Sequence, residues 1–388
     1  MDLVDNPIRI ELSGRIDSSN AAAVEKDLME QVAGKAGTPL ILKAENLAYI
    51  SSAGLRILLR LRKLHPDMTI TGVNSEVYEI LEMTGFTEMM IVRKAYRVVS
   101  VDGCEEIGHG ANGIVYRIDK DNVVKVYKNA NALVEIQHER EVARLALILG
   151  IPTAISYDVV RVGDSYGSVF ELLNARSFSD ILAKEPERLD WCVKEYVTLL
   201  KKIHETMVPE GKLPPMKQDV LEWVDFLTDY LPKEAAGKLQ KLVEAVPDDP
   251  HMLHGDYHTK NVQLVNDEVL LIDMDTLSTG HPIFELAFMY NAYQGRSELD
   301  HTVVKNFQGF DYEISTQFWH KTLAAYLETD DKARIREVEE KARIIGYTRL
   351  IRSMIRRGEQ KMEPGKALVE RYQKELIELL EKVDTLTF

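Results

Sequence analysis

A short polar loop between two apolar runs constrains this chain more than any other feature. The loop is "HGDYHTKN", residues 254–261, and the next apolar run, "VLLID", ends at Asp273. Asp256 and Asn261 are five residues apart, and Asp273 follows twelve residues later. In phosphoryl transfer one carboxylate positions or deprotonates the attacking hydroxyl, while an amide and a second carboxylate hold Mg²⁺ against nucleotide phosphates. The spacing therefore favours phosphoryl-transfer chemistry.

Other polar residues of this region are secondary candidates. We expect His254 to hold the loop through its ring nitrogens rather than to take a proton from a substrate. His258 and Asp275 are further site candidates, and a structural role is the alternative for each of them. His204 and Cys192 lie on helical faces, and we interpret both as core or surface residues.

A second motif, "EEIGHGANGIVYRI", contains Gly108, Gly110 and Gly113. The same glycine spacing occurs in dinucleotide-binding folds, where it opens a helix. Here "GIVYRID" continues as a strand and "NVVKVYK" follows as another. The context therefore predicts a glycine-rich hairpin folded over nucleotide phosphates.

Lys125 lies in the middle of the second of these strands, and lysine is rarely buried without a partner. An orienting carboxylate is expected on the helix "ALVEIQHEREVARLALILG", which offers Glu135, Glu139 and Glu141; we favour Glu141, with Glu139 as the alternative. The alternative is that the Lys125 side chain faces solvent and has no role in a binding site. Further along, "VFELL" stands where the backbone of residues Glu171 to Leu173 would contact adenine.

These motifs occur in the order GHGANGIV, Lys125, HGDxxxxN and IDxDxxxxGxPxxELA. In this order they resemble the aminoglycoside phosphotransferase/choline kinase branch of the protein-kinase-like superfamily, over roughly residues 104–360. The resemblance implies ATP and Mg²⁺ as cofactors, Asp256 as catalytic base, Asn261 and Asp273 as metal ligands, and Lys125 on the α- and β-phosphates. A deactivated pseudokinase is the alternative, but every key position is filled.

The segment after Asp273 narrows the expected acceptor. It contains neither Asp-Phe-Gly nor Ala-Pro-Glu, and "MDTLSTGHPIFELAFMY" continues directly into a helix. This leaves no room for an activation segment that would dock a peptide. We therefore expect a pocket for a small hydroxylated acceptor, built by helices of the C-terminal part.

Residues 7–95 alternate strand and helix signals with short connections, which predicts a small, mostly parallel sheet with packed helices. "LSGRIDSSNA", "LAYISSAGLRILL" and "EVYEILEMTGF" resemble a STAS domain, the fold of bacterial anti-sigma-factor antagonists. In that family a serine at the strand–helix junction is phosphorylated, and Ser52 takes its position. Ser51 stands where the family usually has Asp. Plain helix capping is the alternative for these serines.

We therefore predict a two-domain chain, and we set its bounds from the motifs. An α/β STAS-type sheet with packed helices occupies residues 1–97, and an α+β bilobal protein-kinase-like fold occupies residues 98–388. The N-lobe is expected over residues 98–175 and the C-lobe over residues 176–388.

Charge and composition limit the partners. Residues 1–98 carry 12 basic and 13 acidic residues, and the remainder carries 36 and 49. A polyanion would be repelled by the larger part, so no nucleic acid is expected, whereas a cationic small molecule would be attracted. An acidic surface is also ordinary for a soluble protein. We see no signal peptide or membrane segment, and two isolated cysteines suit a reducing cytoplasm.

Two functions follow as hypotheses. The first is an ATP-dependent phosphotransferase acting on a small hydroxylated molecule, with the STAS domain regulating it or docking partners. The second is a signalling switch in which the kinase phosphorylates Ser52 to control binding of an anti-sigma factor or similar protein. The second requires unusual docking, because a hydroxyl must come within about 3–3.5 Å of the γ-phosphate. We therefore favour the first.

Overall fold

The structure, a computed structural model, describes residues 7–110, 113–129 and 132–388. Residues 111 and 112 of the predicted glycine-rich hairpin lie outside the described residues. Two compact units are present, and they are described separately. Of the described residues, the first comprises 7–110, 113–116, 125–129 and 158–168, and the second comprises 117–124, 132–157 and 169–388.

The N-terminal part of the first unit is a four-stranded parallel sheet in the order β1-β2-β3-β4. Its elements are β1 (Ile8–Ile16), α1 (Ala21–Gln31), β2 (Leu40–Ile50), α2 (Ser52–Leu64), β3 (Met68–Val73), α3 (Ser75–Met83), α4 (Phe86–Met89) and β4 (Ile91–Lys94). The predicted alternation of strands and helices over residues 7–95 is confirmed.

Apolar side chains between the sheet and its helices stabilise this part of the unit. Their spacing along the sequence places them on the faces where sheet and helices meet. Leu40 and Leu42 of β2 and Leu61 of α2 are fully buried. Alternate residues of a strand share a face, and positions three or four apart share a helix face, so these patterns meet in one core. Gly85, at φ +75°, follows α3 and allows the chain to turn after it.

A six-stranded sheet follows, with the order β5-β9-β10-β8-β7-β6. The segment contains β5 (Arg97–Val98), β6 (Glu105–His109), β7 (Gly113–Arg117), β8 (Asn122–Tyr127), α5 (Leu133–Ile148), β9 (Asp158–Val162) and β10 (Ser165–Glu171). The boundary between the two compact units runs through β8 and β10. The domain bounds predicted from the sequence, which rest on motifs rather than compactness, stay a prediction.

The remainder of the chain is mainly helical. It comprises β11 (Ala175–Ser177), α6 (Phe178–Lys184), α7 (Leu189–His204), α8 (Met216–Leu227), α9 (Lys233–Glu244), β12 (Met252–Leu253), β13 (Val262–Val265), β14 (Glu268–Leu271), β15 (Ser278–Thr279), α10 (Ile283–Tyr293), α11 (Thr302–Gln308), α12 (Tyr312–Leu327), α13 (Lys332–Arg356) and α14 (Gly365–Lys382). Short 3₁₀ turns occur at 186–188, 295–297 and 359–361.

Helix α10 is the central element of this second unit. Ten of its eleven residues are buried, and it packs against α12 and α13. A helix that is apolar on all sides belongs inside a core. Because α10 follows β15 directly, this buried helix can hold the polar loop that lies between β12 and β13. Among the residues that the structure describes, no helix is both long enough and apolar enough to cross a membrane.

Candidate functional site

The loop His254–Asn261 connects β12 to β13 within the second unit. Gly255, its second residue, has φ +80°, a conformation that residues with a Cβ rarely adopt. A Cβ at this position would lie 2.4 Å from the carbonyl oxygen of Thr276. The hydroxyl of Thr276 in turn donates to the carbonyl of His254 at 2.8 Å. The chain around Asp273 and the start of the loop are therefore in direct contact, and glycine at position 255 allows it.

One fully buried carboxylate, Glu285 of α10, fixes the backbone of the loop. It accepts the N–H of His254 at 2.5 Å and that of Gly255 at 3.1 Å. The N–H of Tyr257 lies 3.4 Å from the same carboxylate. Hydrogen bonds to an ionised acceptor are about twice as strong as neutral ones. The candidate base Asp256 thus lies between residues whose backbone is anchored to the buried helix.

The second half of the loop is held by buried hydroxyl groups. The hydroxyl of Tyr257 donates to the carbonyl of Tyr196 at 2.8 Å, and that of Tyr196 donates to the carbonyl of Tyr257 at 2.9 Å. The N–H of Thr259 donates to the hydroxyl of Tyr293 at 3.0 Å. Helices α7 and α10 therefore contact the loop from two directions, which restricts the position of the side chains it carries.

Asp256 lies at the surface of this anchored loop, with its side chain 46% exposed. The ring Nε2 of His258 is 3.4 Å from its Oδ2. Burial raises the pKa of the Asp256 carboxyl, but the hydrogen bond and charge of His258 outweigh this effect, with a contribution from His254, and the pKa falls to about 2. Asp256 is therefore ionised at neutral pH.

His254 is fully buried, and its ring supports the loop internally. The backbone N–H of Asp256 donates to its Nδ1 at 3.3 Å. Burial lowers the pKa of His254, against the opposing charges of Glu285, Asp256 and Asp273. One ring nitrogen thus contacts the loop backbone, and the supporting role expected of His254 stays a prediction.

The two predicted metal ligands lie on neighbouring segments. The side-chain amide of Asn261 donates to the carbonyl of Asp256 at 3.0 Å, and the carbonyl of Asn261 accepts from Ile272 at 3.0 Å. Asp273, the residue after Ile272, is exposed and has φ +63°. Left-handed backbone outside glycine costs free energy and occurs often at functional sites. Asp275 is half-buried two residues further on.

The glycine motif forms the ends of two adjacent strands. Gly108 lies in β6, Gly113 begins β7, and the N–H of Gly110 donates to the carbonyl of Gly113 at 2.9 Å. A Cβ on Gly113 would lie 2.5 Å from the carbonyl oxygen of Val126, so this glycine permits close pairing with β8. The motif therefore continues as strands and does not open a helix, as predicted from its context.

Lys125 lies in β8 and is half-buried, with its ammonium 5.1 Å from the ring centre of Tyr127. Helix α5 carries both candidate partners of this lysine. Glu139 lies on the buried face of α5 together with Ile136, whereas Glu141 is exposed. Burial alone favours Glu139, and the choice between Glu141 and the alternative Glu139 stays a prediction.

The predicted adenine-contacting segment lies where two strands join. Glu171 ends β10 and is exposed, while Leu173 is half-buried between β10 and β11. The N–H of Leu172 donates to the carbonyl of Asp121 at 2.7 Å, which fixes this junction within the second unit.

Sequence comparison identifies the chain. The model of the phosphotransferase enzyme family (APH) matches residues 103–318, more than half of the chain, and includes the glycine motif and the whole loop 254–261. The chain belongs to the phosphotransferase enzyme family. The apo crystal structure of a thermostable mutant of aminoglycoside phosphotransferase APH(4)-Ia matches with a TM-score of 0.50 and 13% identity, over 72% of this chain and 94% of that one. This likeness shows the kinase-like fold alone. A choline/ethanolamine kinase family protein from Mesorhizobium loti matches with a TM-score of 0.46 and 13% identity, over 72% of this chain and 88% of that one.

The N-terminal part of the chain also matches a family model. A STAS domain model matches residues 2–100. BtrV of Bordetella bronchiseptica, which carries a provisional assignment as an anti-sigma factor antagonist, is 33% identical over 96 residues, which are 24% of this chain and 82% of BtrV. The chain is therefore a STAS domain followed by a phosphotransferase domain with the kinase-like fold, as the sequence predicted.

In the STAS domain the two junction serines have different environments. The hydroxyl of Ser51 accepts the N–H of Ala53 at 3.2 Å and caps α2. Ser52, the first residue of α2, is exposed. Capping is thus carried out by Ser51, which stands where the family usually has Asp, and Ser52 stays a predicted phosphoacceptor.

Three residues of the phosphotransferase domain were not identified from the sequence. Glu285 was part of the quoted "ELA" motif, but it had no assigned role. Arg349 and Arg296 lie outside every motif, although Arg349, Arg352 and Arg356 recur at helical spacing in "RLIRSMIRR". That spacing was the available signal, because it places their side chains on one face of α13.

Proposed function

We propose that the chain transfers the γ-phosphoryl group of ATP to a hydroxyl of a small molecule. The observation that carries this proposal is the anchored loop of a phosphotransferase family member, with an ionised Asp256 bonded through its backbone to Asn261. The glycine motif and Lys125 would bind the nucleotide phosphates, and the backbone from Glu171 to Leu173 would contact the base.

Asn261 and Asp273 fit a magnesium ion by their donor atoms. Mg²⁺ prefers oxygen ligands and is usually held by one or two carboxylates together with substrate phosphates. The amide nitrogen of Asn261 is used within the loop, so its carbonyl oxygen is the group that would serve as a ligand. When bound, the ion would neutralise charge on the nucleotide phosphates. Among the described residues, no group of three or more His, Cys, Asp or Glu side chains is arranged to hold a metal.

The low pKa of Asp256 indicates how it would act. A carboxylate with a pKa of about 2 is a weak base, so it would mainly orient the acceptor hydroxyl through a hydrogen bond. The proton would pass to Asp256 only as the new O–P bond forms and the bond from phosphorus to the bridging oxygen of ADP breaks. His258, 3.4 Å from Asp256, would keep the carboxylate in place during this step.

The chain after Asp273 supports a small acceptor rather than a peptide. Helix α10 begins at Ile283, and the intervening residues include β15, which pairs with β12. This short segment is part of the loop's own support, because Thr276 contacts both His254 and Gly255. It is therefore not available as a docking platform for an extended substrate.

The test is ADP formation from Mg-ATP by the full chain with a panel of hydroxylated acceptors. Asp256→Asn is expected to lower kcat by about 10²–10⁴-fold, the usual contribution of a positioned base. Asp267→Asn is the matched control, because Asp267 is an exposed aspartate in the β13–β14 turn. Equal rates for wild type and Asp256→Asn would refute the role of Asp256, and no turnover with any acceptor would refute the proposal.

A second function is favoured by the exposed position of Ser52. We propose as the alternative that the kinase phosphorylates Ser52, in cis or on another copy, and thereby controls binding of an anti-sigma factor or similar protein to the STAS domain. A phosphate there would meet the N-terminus of the 13-residue helix α2. Peptide mass spectrometry after incubation with Mg-ATP tests this: one phosphate on Ser52 that is absent in both Ser52→Ala and Asp256→Asn would support it, and an unmodified protein would contradict it.

A further inference from the structure

Two arginines of α13 lie against an aromatic pair in the phosphotransferase domain. The guanidinium of Arg349 is 4.0 Å from the ring centre of Phe288 in α10 and 5.8 Å from that of Trp223 in α8. The guanidinium of Arg352 is 5.6 Å from the same Trp223 ring. Stacking on aromatic faces orients a guanidinium but leaves its N–H donors directed outward in the plane of the group.

The three arginines Arg349, Arg352 and Arg296 form no ion pair with a carboxylate in the part of the chain that the structure describes. Within the described residues, no Asp or Glu oxygen lies within 4.0 Å of the side-chain nitrogens of Arg349, Arg352 or Arg296. The Nε of Arg352 is buried and makes no hydrogen bond. Asp219 and Glu222 of α8 act on Arg352 through their charges, although neither forms an ion pair with it. Burying a charged group without a partner is costly, and a bound anion would supply acceptors to such a guanidinium.

Two of these arginines, Arg349 and Arg296, are connected to the catalytic loop through α10. Phe288, which contacts Arg349, is one helical turn from Glu285, which holds the backbone of the loop. Arg296 follows α10 in the 3₁₀ turn Gly295–Ser297. The positive charge of both arginines acts on the Asp256 carboxylate, and burial lowers the pKa of Arg349 and of Arg296. Arg349 is therefore connected to the loop through α10, and Arg296 lies in the turn that follows this helix.

We propose that Arg349 and Arg296 bind an anionic group of the acceptor, a phosphate or carboxylate, and thereby present its hydroxyl to Asp256. This inference rests on the proposed function and names the class of its substrate. Arginine suits the role because its planar donors bind carboxylate and phosphate oxygens in pairs. The charges of Asp219 and Glu222 act on Arg352, so we do not assign it to the anion site.

The first experiment measures binding of inorganic phosphate to the full chain by calorimetry, with saturating AMP-PNP and Mg²⁺ to fill the nucleotide site. Arg349→Gln and Arg296→Gln are each expected to weaken phosphate binding about tenfold or more, because each removes charge-assisted hydrogen bonds. Arg336→Gln is the matched control, since Arg336 is exposed on the same helix, 13 residues before Arg349 and about 20 Å away along its axis.

The second experiment compares acceptors in matched pairs that differ only in an anionic group, such as glycerol and glycerol 3-phosphate. We expect the anionic member to have a kcat/KM at least about tenfold higher, and Arg349→Gln to remove this preference while the KM for ATP is unchanged. Arg296→Gln gives the same test should Arg349→Gln fail to fold, because Arg296 lies in the short turn after α10 and not within a long helix.

Several results would overturn the inference. In the calorimetry, these are equal phosphate binding by wild type and both arginine variants, or phosphate binding that AMP-PNP abolishes. In the acceptor comparison, they are a raised KM for ATP in Arg349→Gln, or a preference for cationic acceptors. Failure of the proposed function is a different result, namely no ADP from any acceptor, and phosphate binding by wild type and variants can still be compared in that case.

Discussion

Replacement of Glu285 by alanine tests how the catalytic loop is held. The carboxylate is fully buried and accepts backbone N–H groups of His254 and Gly255, with a weak third contact to Tyr257 at 3.4 Å. Each donor left without an acceptor costs about 1–3 kcal/mol. Two strong bonds and one weak one therefore predict a loss of about 3–5 kcal/mol in the free energy of unfolding, the range found when one partner of a buried charged pair is removed.

The same substitution should lower kcat by more than its effect on stability explains. With the loop backbone released, Asp256 no longer keeps its position relative to Asn261, and small displacements of reacting groups cost rate steeply. Leu239→Ala in α9 is the matched control, because a fully buried leucine replaced by alanine also costs about 2–5 kcal/mol and lies outside the loop network.

Urea unfolding and ADP formation are measured for both variants at a temperature where each is folded. The expected result is similar stability, with a kcat for Glu285→Ala at least about tenfold below that of Leu239→Ala. Equal kcat values at equal stability would show that Glu285 is only a core residue and would refute the reasoning.

Glu285 also predicts a pH dependence of stability. Burial raises its pKa, but His204, His254 and the N–H of Gly255 outweigh this, and the pKa lies below the ordinary value of 4.5. A carboxyl with a depressed pKa stabilises the fold above its unfolded pKa, and the contribution disappears as the pH falls through the folded pKa. The stability advantage of wild type over Glu285→Gln should therefore be constant at neutral pH and shrink below about pH 4.5. An advantage that grows with acidification would contradict this sign.

Two further predictions each compare a substitution at the site with the same substitution at a second position of the chain. Gly255→Ala should lower the free energy of unfolding by about 2 kcal/mol or more, because its Cβ would meet the Thr276 carbonyl at 2.4 Å and φ is +80°. Gly211→Ala, at φ +74° with open space around it, should cost about 1 kcal/mol, and equal losses in urea unfolding would refute the steric argument. Glu139→Gln should raise the KM for ATP or lower kcat by about tenfold, whereas Glu141→Gln should match wild type, and the reverse order would restore the sequence-based choice.

The sequence predicts an element well when residues within that element determine its structure. The STAS strands follow from alternating apolar residues, and α2 begins where Ser51 caps it. The glycine motif could be assigned to a hairpin because strand-forming residues continue beyond Gly113. In each case residues within one element carry the information, so no knowledge of tertiary packing was needed.

The partner of Lys125 shows where local information ends. Glu139 and Glu141 are two residues apart, and successive residues of a helix are about 100° apart around its axis. The two carboxylates therefore face nearly opposite directions, and the choice depends on which turn of α5 packs inward. That phase is set by tertiary contacts of Ile136 and Val142, both of which are buried, and the amphipathic pattern of this helix did not define it.

The charge of the acceptor depends even more on tertiary structure. The net charge of the chain is negative, whereas the proposed acceptor site is positively charged. The formal net charge of −14 predicts affinity for cations. At physiological ionic strength, however, charges further away than about 8 Å are largely screened, so a substrate at Asp256 responds to its neighbours. The charged groups that act on Asp256 are His258, His254 and Arg349, and packing of α13 against α10 brings Arg349 there. The charge of Arg296, in the turn after α10, also interacts with Asp256. Phe288 and Arg349 are 61 residues apart in sequence, and no count of charges along the chain could place them together. The acceptor should therefore be selected by this local positive charge, against the net charge of the protein.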